Sequence, residues 1–294
     1  MTPALHPTDR AVSRLPAVTA QLAYHAPQDG AAEVHVFPPG SGLPTTRPAQ
    51  QYHPMPIHDA RPLASALRLD TDGFELHRRR TAFADFYDTA AVRARYYREV
   101  EAFVREAAGA MAVIAFDHNV RSAARAARGE PGVRVPVDAV HNDYTVQSGP
   151  KRKLEVLAEA GRGEWADRRV AFVNLWRPIV GPVQDTPLAL CAAGSVAPSD
   201  LVPTSIHHFG EDDLATPRHT GQIYSVLHNP AHRWFYVPDM QPDELLLLKC
   251  FDSRSDGRAR FMPHTGFANP ACPSDFVPRE SIEVRTLVVF DEPV

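Results

Sequence analysis

His141 and Asp143, inside "AVHNDYT", have the spacing of two ligands in a metal site. On an extended strand residues i and i+2 emerge on the same side, so an imidazole and a carboxylate can close on one cation. The motif alone carries little weight. With 14 histidines in 294 residues, chance supplies about one His-x-Asp, and one is present. Its meaning depends on a third ligand. A non-haem Fe(II) oxygenase uses two histidines and one carboxylate on one face of the metal and leaves the other positions open. In a jelly roll a late strand returns beside an early one, which places the second histidine far downstream. His264, in "FMPHTGF", stands 121 residues beyond Asp143 and ahead of the last apolar strand.

That last strand, "SIEVRTLVVF", carries Arg285 inside an apolar run. A guanidinium there is costly unless it meets an anion. The distal carboxylate of 2-oxoglutarate would be such a partner, gripped by both arms of the fork. Glu283, on the same face of the strand, is the alternative partner. Trp176, Arg177 and Tyr224 are candidate substrate-pocket residues. His228 and His232 are spaced i, i+4, but Pro230 breaks the helix that such a pair would need, so they read as turn residues at the surface. His207 and His208 are adjacent and would point apart on a strand, against a metal role.

The elements that must position these residues are mostly strands. Eleven of the 28 prolines precede residue 63. Residues 1–62 therefore read as a proline-rich extended segment packed on the domain and broken by one short strand at "EVHVF". Residues 63–294 read as the main domain. "DTAAVRARYYREVEAFVREAAG" is a helix with Asp88 or Thr89 as cap and Gly109 at its end, and "GPKRKLEVLAEAG" is a second. "MAVIAF" reads as a strand. "VRVPVDAV" alternates with period two and runs directly into His141. "RRVAFVNLW", "LALCAA", "GQIYSVL", "RWFYV" and "ELLLLKCF" follow as short strands between turn residues. The fold class is mainly β with flanking helices: a double-stranded β-helix, jelly-roll and cupin-like.

Composition narrows the function. A net charge of −4 gives no footprint for nucleic acid. No apolar run approaches the roughly 20 residues of a membrane helix. The start has no secretory pattern, which points to the cytoplasm. Three widely spaced cysteines argue against a disulfide framework and a Cys-x-x-Cys zinc cluster. There is no glycine-rich nucleotide loop.

The ordered segments "HNDYT", "VNLWRPI", "LALC", "HNPAHRWFYVPDM", "PDELLLLKCFDS", "PHTGF" and "RESIEVRTLVVF" resemble the family that contains the cephamycin 7α-hydroxylase component and fungal gibberellin desaturase-type enzymes. The resemblance spans Val133 to Phe290. It implies an oxygenase of secondary metabolism, including antibiotic biosynthesis, that uses Fe(II), 2-oxoglutarate and O2. It also implies iron ligands at His141, Asp143 and His264 and a cosubstrate arginine at Arg285. The expected substrate is a small molecule oxidised by hydroxylation, desaturation or ring formation, with a partner enzyme of the same pathway as a further expectation. Two other readings remain at this stage: a jelly-roll metal lyase or isomerase that does not use 2-oxoglutarate, and a non-catalytic helper subunit.

Overall fold

The computed structural model describes residues 12, 14–38 and 40–293. Its first strands are β1 (Ala17–His25), β2 (Ala32–Val36), β3 (Gln50–Asp59), β4 (Phe74–Arg78), β5 (Ala112–Ser122), β6 (Val133–Arg134), β7 (His141–Asn142) and β8 (Arg168–Pro178). Then come β9 (Leu188–Cys191), β10 (Leu201–Phe209), β11 (Pro217–Val226), β12 (Trp234–Tyr236), β13 (Glu244–Asp252), β14 (His264–Gly266) and β15 (Glu280–Pro293). One sheet has the order β1-β3-β12-β9-β14-β7-β11-β10-β2, the other β4-β13-β8-β15-β5-β6.

Period-two alternation explains how the sheets pack. On β8, Phe172 and Trp176 face the nine-stranded sheet, where Leu188, Leu190 and Phe235 meet them in one core. The intervening Val173 and Leu175 face the other way. They pack against Val92, Tyr96, Val100 and Val104 of helix α1, which runs through Thr89–Ala91, a wide turn at Val92–Tyr96, and Tyr97–Ala108. Asp88 caps it, its side chain accepting from the amides of Ala90 and Ala91, and Gly109 closes it at φ 60°. The central strands of the smaller sheet are thus buried on both faces, which is why β13 reads "ELLLLKCFD" without a polar side. Two further α-helices are α2 (Ala123–Ala127) and α3 (Ser148–Glu159), and α3 adds Val156 and Leu157 to the core between the sheets.

Two expectations change. The segment before residue 63 supplies three strands rather than one, and β1 pairs with β3 from Ala17↔His58 to His25↔Gln50. Pro54 and Pro56 fall where β3 has β1 on one side only, because β12 begins its pairing at Ile57. Their missing N–H groups can face the open side. The second change concerns "VRVPVDAV", which is not one strand. Val133–Arg134 pairs with β5 in the smaller sheet, whereas His141 lies in the larger one. The chain changes sheets across Pro136, where a donor is missing. That crossing delivers Val137 to the cavity between the sheets.

Candidate active site

β7 and β14 are neighbours in the larger sheet, with His264 opposite His141 in antiparallel register. Their rings lie 4.5 Å apart, centroid to centroid. Asp143 follows β7 on the same side, its Oδ1 3.6 Å from His141 Nε2. One ligand atom from each of His141, Asp143 and His264 lies within 4.8 Å of the others. The three predicted ligands are brought together.

Hydrogen bonds orient this set. His141 Nδ1 sits 2.8 Å from the Ala139 carbonyl, so Nδ1 carries the proton and Nε2 presents its lone pair. His264 Nδ1 is placed likewise, 3.3 Å from the Met262 carbonyl. Burial and the neighbouring His264 pull His141 down to about 4, and burial lowers His264 as well, so both imidazoles are neutral near pH 7. Burial works to raise the Asp143 carboxyl, but Arg285 and both histidines outweigh it and hold it well below the usual carboxylate range. Two neutral imidazoles and one ionised carboxylate, clustered at a cavity wall, fit a divalent transition metal.

The smaller sheet supplies the opposite wall. Asn174 on β8 donates through Nδ2 to Asp143 Oδ2 at 2.8 Å and to Glu283 Oε1 at 3.2 Å. Arg285, which pairs with Asn174 across β15 and β8, places Nε 3.3 Å from Asp143 Oδ2 and 3.6 Å from Glu283 Oε1. Its Nη1 donates to Asp117 at 3.1 Å. Arg285 thus lines the cavity, yet three carboxylates already surround its guanidinium. Of the partners anticipated for it, Glu283 lies 3.6 Å away.

Sequence reasoning missed Arg279, which lies in "VPRES" just before β15 and lines the same cavity. It is 3% exposed, with its guanidinium 5.0 Å from the Trp176 ring centre. It donates to the Thr186 carbonyl at 2.7 Å and to Ser281 Oγ at 3.1 Å. Burial, then the like charge of Arg121, brings its pKa down to about 9. Among the described residues it has no carboxylate at ion-pair distance, so its charge is the less compensated of the two. Its position immediately ahead of the last strand was the available signal.

Trp176 lines the cavity. Arg177 does not. As the next residue along β8 it points to the opposite face, where it donates to the Arg79 carbonyl and lies 3.8 Å from Glu99. Tyr224 is outside the lining too. Its ring meets Phe261 edge-on and its hydroxyl accepts from the Val146 amide. His232 is buried rather than superficial, bonded to Asp200 and to the Tyr24 hydroxyl, while His228 stacks on His53. A second set of possible metal ligands, Glu33, His35 and His207, sits more exposed on β2 and β10, with none of its members in the cavity lining.

The chain matches the family described as "Oxidoreductase/YMDC permease-like domain" over residues 22–289. It is 32% identical over 267 residues to the hydroxylase/desaturase efuI of Hormonema carpetanum, covering 84% of this chain and 87% of that protein. To the Fe(II)/2-oxoglutarate-dependent dioxygenase nvfI of Aspergillus novofumigatus it is 32% identical over 247 residues, 80% of this chain and 83% of that one. The solved structure of a variant of the iron and alpha-ketoglutarate-dependent endoperoxidase NvfI superposes with a TM-score of 0.80 at 26% identity. That alignment covers 94% of this chain and 98% of the other. The two-sheet architecture is therefore a jelly roll, and the chain belongs to the family of Fe(II)/2-oxoglutarate-dependent dioxygenases of the hydroxylase/desaturase type.

Proposed function

We propose that His141, Asp143 and His264 hold the catalytic iron of an oxygenase that hydroxylates, desaturates or cyclises a small secondary metabolite. The observation that carries this reading is the convergence of the three ligand atoms on one cavity wall, with both histidines kept neutral. Bound iron supplies the oxidising chemistry, driven by the conversion of 2-oxoglutarate and O2 to succinate and CO2. The protein's own work is placement. Asn174 and Arg285 fix the Asp143 carboxylate, and the backbone carbonyls of Ala139 and Met262 fix the imidazoles.

Arg279 is the best-supported anchor for the distal carboxylate of 2-oxoglutarate. Its guanidinium is buried against Trp176, keeps free donors after Thr186 and Ser281, and faces the cavity that the ligands line. Arg285, the anchor expected from sequence, instead serves the iron carboxylate. Among the described residues no helix is long and apolar enough to cross a membrane. Three free thiols suit a reducing, cytoplasmic setting. The substrate is a small molecule rather than a nucleic acid, and a partner enzyme of the same pathway would supply it or take the product. The test is succinate release: iron-loaded protein should convert 2-oxoglutarate to succinate in air, slowly without an organic substrate. No succinate above the Asp143→Ala background would contradict the assignment.

A further inference from the structure

Glu33 and His35 repeat on β2 the i, i+2 spacing of His141 and Asp143, so a carboxylate and an imidazole emerge on one side of the strand. β2 runs parallel to β10, and His207 is the direct partner of His35 in that pairing. Paired residues of neighbouring strands share a face of the sheet, so a second imidazole arrives beside the first. Adjacent positions keep His207 and His208 from sharing an ion. They do not keep His207 from sharing one with the neighbouring strand.

The distances suit a metal. His35 Nε2 lies 3.5 Å from Glu33 Oε2, and His207 Nε2 lies 4.0 Å from Glu33 Oε1. One ligand atom from each of the three residues lies within 4.8 Å of the others. A tetrahedral ion with bonds of about 2.1 Å needs its ligand atoms about 3.4 Å apart, so small side-chain movements close the set. Both rings are also held in place. His207 Nδ1 is 3.0 Å from Thr220 Oγ1, and a proton donated there leaves Nε2 free to ligate. His35 packs edge-on against Phe37 and Phe209, which stack on each other with ring centres 4.6 Å apart. Its backbone is fixed from both sides, by β10 and by two hydrogen bonds with Thr46. Glu33 is exposed and the histidines partly so, which gives an ion a path in and leaves a further position for water.

We propose that Glu33, His35 and His207 form a second metal site, for a divalent ion of the zinc class that ties the outer strand β2 to β10. Two imidazoles and one carboxylate suit zinc, whereas calcium and magnesium favour all-oxygen sets. None of the three residues lines the cavity. The inference therefore stands on its own, whether or not His141, Asp143 and His264 hold iron.

The test titrates tag-free, metal-free protein with Zn(II) alone and follows the histidine ring Cε1–H signals by NMR. Spectra of His35→Gln and His207→Gln identify the two signals, so zinc at any other site is read separately. In wild type both signals should move together and reach half-saturation below about 10 µM free zinc. Glu33→Gln should weaken that binding by about tenfold or more, while His208→Gln, on the opposite face, should leave it within about threefold. Zinc should also slow amide hydrogen exchange in β2 of wild type and not of His207→Gln. Half-saturation above about 10 µM, movement of only one of the two signals, or binding indifferent to Glu33→Gln would overturn the site. So would equal weakening by His208→Gln. Exchange in β2 that zinc does not slow would overturn the role of tying the strands.

Discussion

His264 stands opposite His141 in the register of β14 and β7, although 122 residues separate them in sequence and only one paired position joins the two strands. Their ring centres are 4.5 Å apart, and Asp143 completes the set on the same side. The iron assignment is therefore a claim about a short stretch of strand pairing as much as about side chains.

Replacing any one of the three by alanine should remove the site. His141→Ala, Asp143→Ala and His264→Ala should each lower iron affinity or turnover by at least about 100-fold, since losses of even their supporting hydrogen bonds typically cost about 10- to 100-fold. Folding should survive, as judged by circular dichroism. His228→Ala, outside the cavity lining, should leave turnover within about threefold of wild type, the range expected for a remote substitution.

Arg279 and Arg285 should separate by which ligand they affect. Arg279→Gln should weaken 2-oxoglutarate by about 30- to 1000-fold and leave Fe(II) binding nearly unchanged. Arg285→Gln should instead weaken Fe(II) by about 10- to 100-fold, because Asp143 loses the cation that holds it. Anaerobic titrations of each ligand measure both. The reverse pattern would return the anchoring role to Arg285.

Much of this site was legible in the sequence, and the exceptions have physical causes. The His141–Asp143 pair follows from strand periodicity, and His264 from the return of a late strand in a jelly roll. Arg279 was hidden because an arginine beside Pro278 in a loop is ordinarily exposed, and only packing on Trp176 buries it. Arg177 misled because one step along β8 reverses the face. Strand β10 escaped notice because Pro203 interrupts its pattern, which the sheet tolerates since β2 begins pairing only at Thr204.

Stability of the metal-free protein should fall as the solution is acidified. His141, His232 and His264 have folded-state pKa values below the ordinary 6.5, with burial the largest cause for each. Below about 6.5 the unfolded chain therefore binds more protons than the folded one, so stability rises with pH in this window and is lost on acidification. For His141 the window extends down to about 4. Thermal midpoints measured from pH 7 to pH 5 should decrease, and His141→Gln should flatten the decline. A midpoint independent of pH would contradict the burial of these imidazoles.

Gly149 is fixed by packing. A Cβ at this position would lie 2.5 Å from two ring carbons of Phe251, which is itself buried. Gly149→Ala should destabilise the fold by about 1–3 kcal/mol through overpacking, read as a lower urea midpoint. An unchanged midpoint would mean that the ring can move aside.

The central claim is tested most directly by titrating the metal-free protein anaerobically with Fe(II) in the presence of 2-oxoglutarate and recording the visible charge-transfer band. The account predicts a band that saturates at one iron per chain in wild type and is absent in Asp143→Ala. No band in wild type, or an equal band in Asp143→Ala, would contradict it.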